Sequence, residues 1–73
     1  YTRDRVPLHW AITQFNLGEV LWLLGRRQAD DALQRQAMTA VSDALEIFRA
    51  AGDGHRTPIA EQRLAAMKAA LHQ

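Results

Sequence analysis

Residues 10–24 read WAITQFNLGEVLWLL, and this stretch decides the fold because it is the densest apolar part of the chain. In a helix, one apolar stripe on it comprises Trp10, Leu17, Leu21 and Leu24. A second stripe, on a neighbouring face, comprises Ala11, Phe15, Gly18 and Trp22. A helix that is apolar over so much of its circumference has to be covered from more than one side, so we expect it to pack against other helices and to recruit a partner.

The chain of 73 residues has room for one small domain, residues 1–73, whose core gives only about 3–5 kcal/mol of stability. Cysteine is absent, and the histidines (His9, His55 and His72) are too scattered to favour a zinc site, so we expect no metal and no cofactor. Association with another chain is the remaining source of support. Nine basic and eight acidic side chains are interspersed, and this pattern gives no electrostatic footprint for nucleic acid.

The apolar runs of the sequence are too short to cross a membrane. The longest unbroken run is residues 20–24, whereas a membrane span needs roughly 20 residues. No signal-peptide pattern is visible, so we expect a cytoplasmic protein. The chain begins with Tyr1 and not with methionine, which we interpret as the mark of a processed, trimmed or excerpted piece of a longer protein.

Capping signals predict the first two helices. Pro7 suits the first position of a helix, and Gly25 suits the left-handed residue after its end, which places this helix at residues 7–24. The aspartates at 30–31 suit the start of a second helix that ends at Ala51. Together the two helices form a predicted hairpin.

The second helix carries a regular apolar seam, which we interpret as a core face and not as a cofactor site. The seam comprises Ala37, Val41, Ala44, Phe48 and Ala51, and it is widened by Leu33, Leu45 and Ile47. Small residues in the seam let two helices approach closely. Gly18 in the first helix has the same effect. Close packing explains why a glycine occurs in the middle of this helix, although it costs about 1 kcal/mol of helix propensity there.

A third helix is predicted after the glycines at 52–54, because Thr57 suits an N-cap and Pro58 suits the first helical position. Its apolar stripe comprises Ala60, Leu64, Met67 and Leu71. Only one side is apolar, as is typical of a helix that caps a core. The predicted fold is therefore all-α, with a helical hairpin over residues 7–51 and a C-terminal capping helix over residues 57–72.

The sequence VPLHWAITQFNLG at residues 6–18 resembles the first helix of the tetratricopeptide repeat (TPR) family, in particular its long bacterial variant. Leu17 and Gly18 match the Leu-Gly pair of the family, and Leu21 takes the place of its tyrosine. Later positions that fit the family pattern are Ala37, Val41, Ala44 and Pro58. The resemblance implies a TPR-like fragment of an α-solenoid in which residues 1–6 are the tail of a preceding repeat.

The chain departs from the family pattern in three ways. Its helices or its turn are longer, Gln14 stands where the family has tryptophan, and Phe15 stands where the long variant commonly has a polar residue. An extra aromatic side chain there favours an apolar contact over a groove for extended polar peptides. TPR proteins bind proteins or peptides on a concave surface lined mainly by first helices. Carried over to this chain, that partner-binding surface comprises Ile12, Phe15, Glu19, Trp22 and Arg26. The alternative is that Phe15 and Trp22 pack against an adjacent repeat or another copy.

No motif in the sequence favours catalysis, since there is no HExxH motif, no glycine-rich phosphate loop and no nucleophile beside a base. We expect a protein–protein interaction module, not an enzyme, that binds a protein or peptide or self-associates through its first helix. The predicted assembly is a homodimer or higher oligomer, with helix exchange about residues 52–54 as one route. The alternative is a purely structural oligomerisation bundle with a short coiled coil and no separate ligand.

Overall fold

The computed structural model describes residues 7–71, which form three helices and no strand. They are α1 (Pro7–Gln28), α2 (Asp31–Ala50) and α3 (Arg56–Leu71). α1 and α2 form a hairpin, and α3 packs mainly against α2. The all-α prediction of a helical hairpin followed by a C-terminal helix is confirmed. The predicted tail at residues 1–6 and the end of the capping helix at residue 72 lie outside the described residues.

The end of α1 differs from the prediction of a stop at Leu24 with Gly25 in the left-handed conformation. α1 continues through Gly25 to Gln28, and Ala29 is the left-handed residue, with φ of 52°. The amide of Ala29 donates to the carbonyl of Arg26 at 3.4 Å, and the amide of Asp30 donates to that of Gly25 at 2.8 Å. These two bonds are those of a Schellman motif, so the last turn of α1 is closed without a glycine at the left-handed position.

Gly25 serves close packing rather than the turn. A Cβ atom there would lie 2.8 Å from Gln34 Cγ, closer than real Cβ atoms pack, and 3.0 Å from the backbone nitrogen of Gln34, tighter than most real Cβ contacts. Both a glycine that ends a helix and a glycine that admits a neighbouring helix occur near a turn. The sequence pattern alone does not distinguish between them.

Ala29 gives a testable prediction, because a left-handed alanine is strained by its Cβ atom and glycine is not. We expect Ala29→Gly to raise the free energy of unfolding by about 0.5–1 kcal/mol, measured by urea denaturation at one fixed protein concentration. Ala69→Gly, at an exposed position inside α3, is the matched control and should lower it by about 1 kcal/mol. Equal destabilisation by both substitutions would contradict the prediction.

α2 begins where the sequence predicts. Asp30 is the N-cap, and its Oδ1 accepts hydrogen bonds from the amides of Ala32 at 2.9 Å and Leu33 at 3.2 Å. The predicted seam residues Ala37, Val41, Ala44 and Phe48 are buried, as are Ala40 and Leu45. The seam ends earlier than predicted, because Ala51 is the C-cap of α2 and is exposed to solvent.

The start of α3 corrects the prediction that Thr57 is the N-cap and Pro58 the first helical residue. The helix begins at Arg56, and the capping side chain is Asp53, whose Oδ1 accepts from the amides of His55 at 3.0 Å and Arg56 at 2.8 Å. The Arg56 guanidinium also donates to Asp53 Oδ2 at 2.9 Å. The backbone and side-chain hydrogen bonds from Arg56 lower the pKa of Asp53 below its usual value.

The core lies where the three helices meet. Its buried members are Ala11, Ala44, Leu45, Phe48 and Ala60, and half-buried apolar side chains surround them. Phe15 meets Phe48 edge to face, with ring centroids 6.4 Å apart. The predicted stripe on α3 is confirmed, with Ala60 and Met67 buried and Leu64 and Leu71 half-buried.

α1 and α2 cross closely at Gly18. A Cβ atom there would lie 2.7 Å from Val41 Cγ2 and 3.0 Å from the carbonyl oxygen of Ala37. The sequence-based expectation of a close approach at this glycine is therefore confirmed. This approach brings the α1–α2 hairpin together at its middle and leaves the flanks of α1 to be covered by other groups.

Candidate functional site

The flank of α1 that turns away from α3 carries a row of exposed apolar side chains. Leu17 is 45% exposed, Val20 53% and Leu24 40%. We call these three residues the outer face of α1. Among the described residues, only Leu23 and Ile59 are other large hydrophobic side chains with comparable exposure. Apolar surface concentrated on one side of one helix is typical of an interaction site.

A shallow groove runs between the outer face and α2. It has a volume of about 330 Å³ and no residue of α3 lines it. We call it the outer groove; it is lined by Gln14, Leu17, Leu21, Arg35, Gln36, Thr39, Ala40 and Asp43. Leucine and alanine side chains form its apolar part, and the exposed Arg35 and Asp43 supply one charge of each sign. This arrangement suits an apolar protein surface with matching charges.

The five partner-binding residues predicted from the TPR resemblance lie on the flank of α1 that faces α3. Ile12 and Phe15 are half-buried and pack against the core cluster. Trp22 is half-buried beside Met67 in a small pocket of about 160 Å³ between α1 and α3. Arg26 is exposed near the C-terminal end of α1. Two of the five side chains therefore contribute to the core of this chain.

Glu19, the fifth predicted residue, joins α1 to α3. Its Oε1 atom is buried and lies 2.9 Å from Nε of Arg63, within ion-pair distance but without the angle of a hydrogen bond. Both side chains are partly exposed, with 58% of Arg63 and 36% of Glu19 accessible. The pair therefore orients α3 against α1 and contributes little to stability.

A second cleft, of about 250 Å³, opens between α1 and the start of α3. Its lining comprises Ile12, Phe15, Asn16, Phe48, His55, Arg56 and Ile59. The guanidinium of Arg56 is engaged by Asp53, so the charge at the rim of this cleft is largely satisfied. The cleft can hold a small apolar side chain. The arginine in its lining is already paired with Asp53, so it contributes little to orienting such a side chain.

The α2 wall of the outer groove is not apparent from the sequence. The positions concerned, Arg35, Gln36, Thr39 and Asp43, are polar and lie beside the seam, so they were indistinguishable from an ordinary solvated face. The available signal was their spacing: Gln36, Ala40 and Asp43 follow one another at helical intervals next to the buried seam. The sequence does indicate the stripe of α1 that contains Leu17 and Leu24, and it predicts that other groups cover this stripe.

Residues 7–71 hold no group of three or more histidine, cysteine, aspartate or glutamate side chains placed to bind a metal ion. Asp30 and Asp53, two of the acidic residues nearest the turns, are used as helix caps. Within the same part of the chain, no helix is long and apolar enough to cross a membrane.

Comparison with protein-family models, with curated proteins and with solved structures finds no match to this chain. Over residues 7–71, the fold and the site define a small all-α protein with an apolar helix face exposed to solvent.

Proposed function

We propose that this chain is a protein–protein interaction module of the cytoplasm, a TPR-like scaffold fragment that docks a partner protein or a second copy through its apolar first helix. The observation that carries the proposal is the exposure of Leu17, Val20 and Leu24 on one side of α1. The proposal assigns the chain no catalytic activity.

The rest of the chain covers α1 unevenly. The stripe that contains Ala11 and Gly18 is buried against α2, whereas the stripe that contains Leu17 and Leu24 remains in contact with water. Removing apolar surface from water is favourable by about 25 cal/mol per Å². A small domain whose own core supplies only a few kcal/mol gains stability when a second protein covers that stripe.

The TPR resemblance supports the same class of function by a separate route. TPR-like proteins present their first helices to partners, and here the first helix carries the exposed apolar side chains. The flank predicted from the family, which includes Phe15 and Trp22, is partly filled by contacts with α3 and the core. We therefore place the docking surface on the outer face, on the other flank of the same helix.

The test is the solution mass of the chain by sedimentation velocity, from about 1 to about 200 µM, with helicity followed by circular dichroism. We expect the mass to rise with concentration. The variant Leu17→Gln/Leu24→Gln should stay folded, since both side chains are partly exposed, and should associate at least about tenfold more weakly.

Leu23→Gln is the matched control for this experiment. Leu23 is 61% exposed and also belongs to α1, but it lies beside Trp22 on the flank that faces α3. Its substitution should leave the association unchanged. A chain that is monomeric over the whole range, or a double variant that associates as strongly as the parent, would overturn the proposed function.

A further inference from the structure

We propose that the outer groove binds a second copy of this chain, with α1 antiparallel to the α1 of that copy and a two-fold axis across the groove. The inference rests on the proposed function, because it uses the same apolar face, and it adds the identity and the orientation of the occupant.

The spacing of the exposed side chains suits helix-to-helix packing. Leu17 and Leu24 are seven residues apart, and Val20 lies between them at an interval of three and four. A seven-residue spacing with this division keeps apolar side chains along one seam between two helices. Thr13, which precedes Val20 by seven residues, continues the seam with a small side chain. A second helix can therefore lie along the whole middle of α1.

The level of the axis follows from the crossing of α1 and α2. Gly18 lies against Ala37 and Ala40 of α2, so the middle of α1 is level with Thr39. Arg35 precedes Thr39 by four residues and Asp43 follows it by four, so each stands one helical turn, about 6 Å, from that level.

The charges of the groove are self-complementary about this level. A two-fold axis that passes through it and runs perpendicular to the helices reverses the direction of α2 in the second copy. Arg35 then lies opposite the second copy's Asp43, and Asp43 lies opposite the second copy's Arg35. One surface thus supplies both members of two ion pairs, as a two-fold interface requires.

The charges also favour the antiparallel arrangement over the parallel one. Parallel packing of the two copies of α1 about an axis along α1 would place the two copies of α2 on opposite sides, so the ion pairs of Arg35 with Asp43 would be lost. It would also gather Arg26 and Arg27 of both copies at one end of the interface. Antiparallel packing places these arginines at opposite ends. Charged groups in an interface fix its register in this way, even where they add little to its affinity.

The test uses charge reversal in the outer groove, with the dimer dissociation constant measured by sedimentation at low salt. Arg35→Asp and Asp43→Arg each create two repulsive contacts per dimer, and we expect each to weaken the homodimer about tenfold. Both residues are exposed, so both variants should keep the helicity of the parent chain. An equimolar mixture should form a heterodimer about as strong as the parent dimer, because each contact then pairs opposite charges.

Arg63→Asp makes the same charge change as Arg35→Asp on the exposed surface of α3, in the pocket between α1 and α3 and not in the outer groove, and should leave the dimer unchanged. The inference is overturned if the single variants dimerise like the parent, if the mixture fails to restore the dimer, or if the parent forms only higher oligomers. These results leave the proposed function intact wherever Leu17→Gln/Leu24→Gln still weakens association. Failure of that double variant overturns both.

Discussion

Replacing Gly18 with leucine (Gly18→Leu) is expected to abolish the folded state at 25 °C. Even the first carbon of a side chain would lie 2.7 Å from Val41 Cγ2 and 3.0 Å from the backbone oxygen of Ala37. Val41 is fully buried, and the backbone of α2 cannot yield locally, so α1 and α2 would have to separate. Overpacking typically costs 1–3 kcal/mol and more where backbone is displaced, which is comparable to the whole stability of about 3–5 kcal/mol.

The measurement is the helical signal in circular dichroism together with thermal unfolding. Asn16→Leu is the matched control, because it adds the same side chain to an exposed position of the same helix. It should leave the unfolding midpoint nearly unchanged. Gly18→Ala adds only the first carbon and should fall between the two, since the gain in helix propensity of about 1 kcal/mol offsets part of the clash. A cooperative unfolding transition of Gly18→Leu near that of the parent would show that the helices do not approach closely at residue 18.

Phe48→Ala is the second substitution with a large expected effect. Phe48 is the largest fully buried side chain among the described residues, at 1% exposure, and it joins the core cluster to Phe15. Removing a buried phenylalanine costs about 3–5 kcal/mol, from the lost transfer free energy and from the cavity that remains. We therefore expect Phe48→Ala to be largely unfolded in the absence of denaturant.

Urea denaturation and near-ultraviolet circular dichroism check this expectation. Leu23→Ala removes an apolar side chain that is 61% exposed and should cost less than about 1 kcal/mol. The comparison separates core packing from general loss of apolar surface. If Phe48→Ala were no more destabilised than Leu23→Ala, the core would not be centred on Phe48.

The helices and the buried face of α2 could be predicted from the sequence because both depend on local pattern. The regular spacing of Ala37, Val41, Ala44 and Phe48 requires one buried face, and the structure buries all four. The start of α2 at the aspartate pair is likewise a local matter of one carboxylate and two amides. No knowledge of the neighbouring helices is needed for either conclusion.

The ends of helices were harder to predict, because two residues compete for one role. Gly25 and Ala29 both precede α2, and glycine is the usual residue at a left-handed position, yet the close approach of Gln34 requires the glycine inside the helix. Asp53 and Thr57 both offer an oxygen to α3, and Asp53 is used because it also pairs with Arg56. Such competition is decided by tertiary contacts, which the sequence pattern does not contain.

The sequence places the candidate site on one flank of α1, and the structure leaves the apolar side chains of the other flank exposed. The side on which α3 packs decides which stripe of α1 remains in water. That choice depends on the path of residues 51–55 and on pairs such as Glu19 with Arg63, which are distant in sequence. Phe15 is accordingly part of the core cluster, and Leu17 forms part of the exposed face.

The two connections between the helices differ in length, and this difference affects which helix separates first from the others. Only Ala29 and Asp30 separate α1 from α2, whereas five residues, 51–55, separate α2 from α3, and α3 has the smaller interface. Contacts between residues close in sequence form early in folding, and small interfaces open at low free energy. The hairpin and α3 are therefore cooperative units of different stability. We expect detachment of α3 to expose Phe48 and Leu45, which lie beside it, and to leave the outer face on the hairpin, where it can still contact another chain.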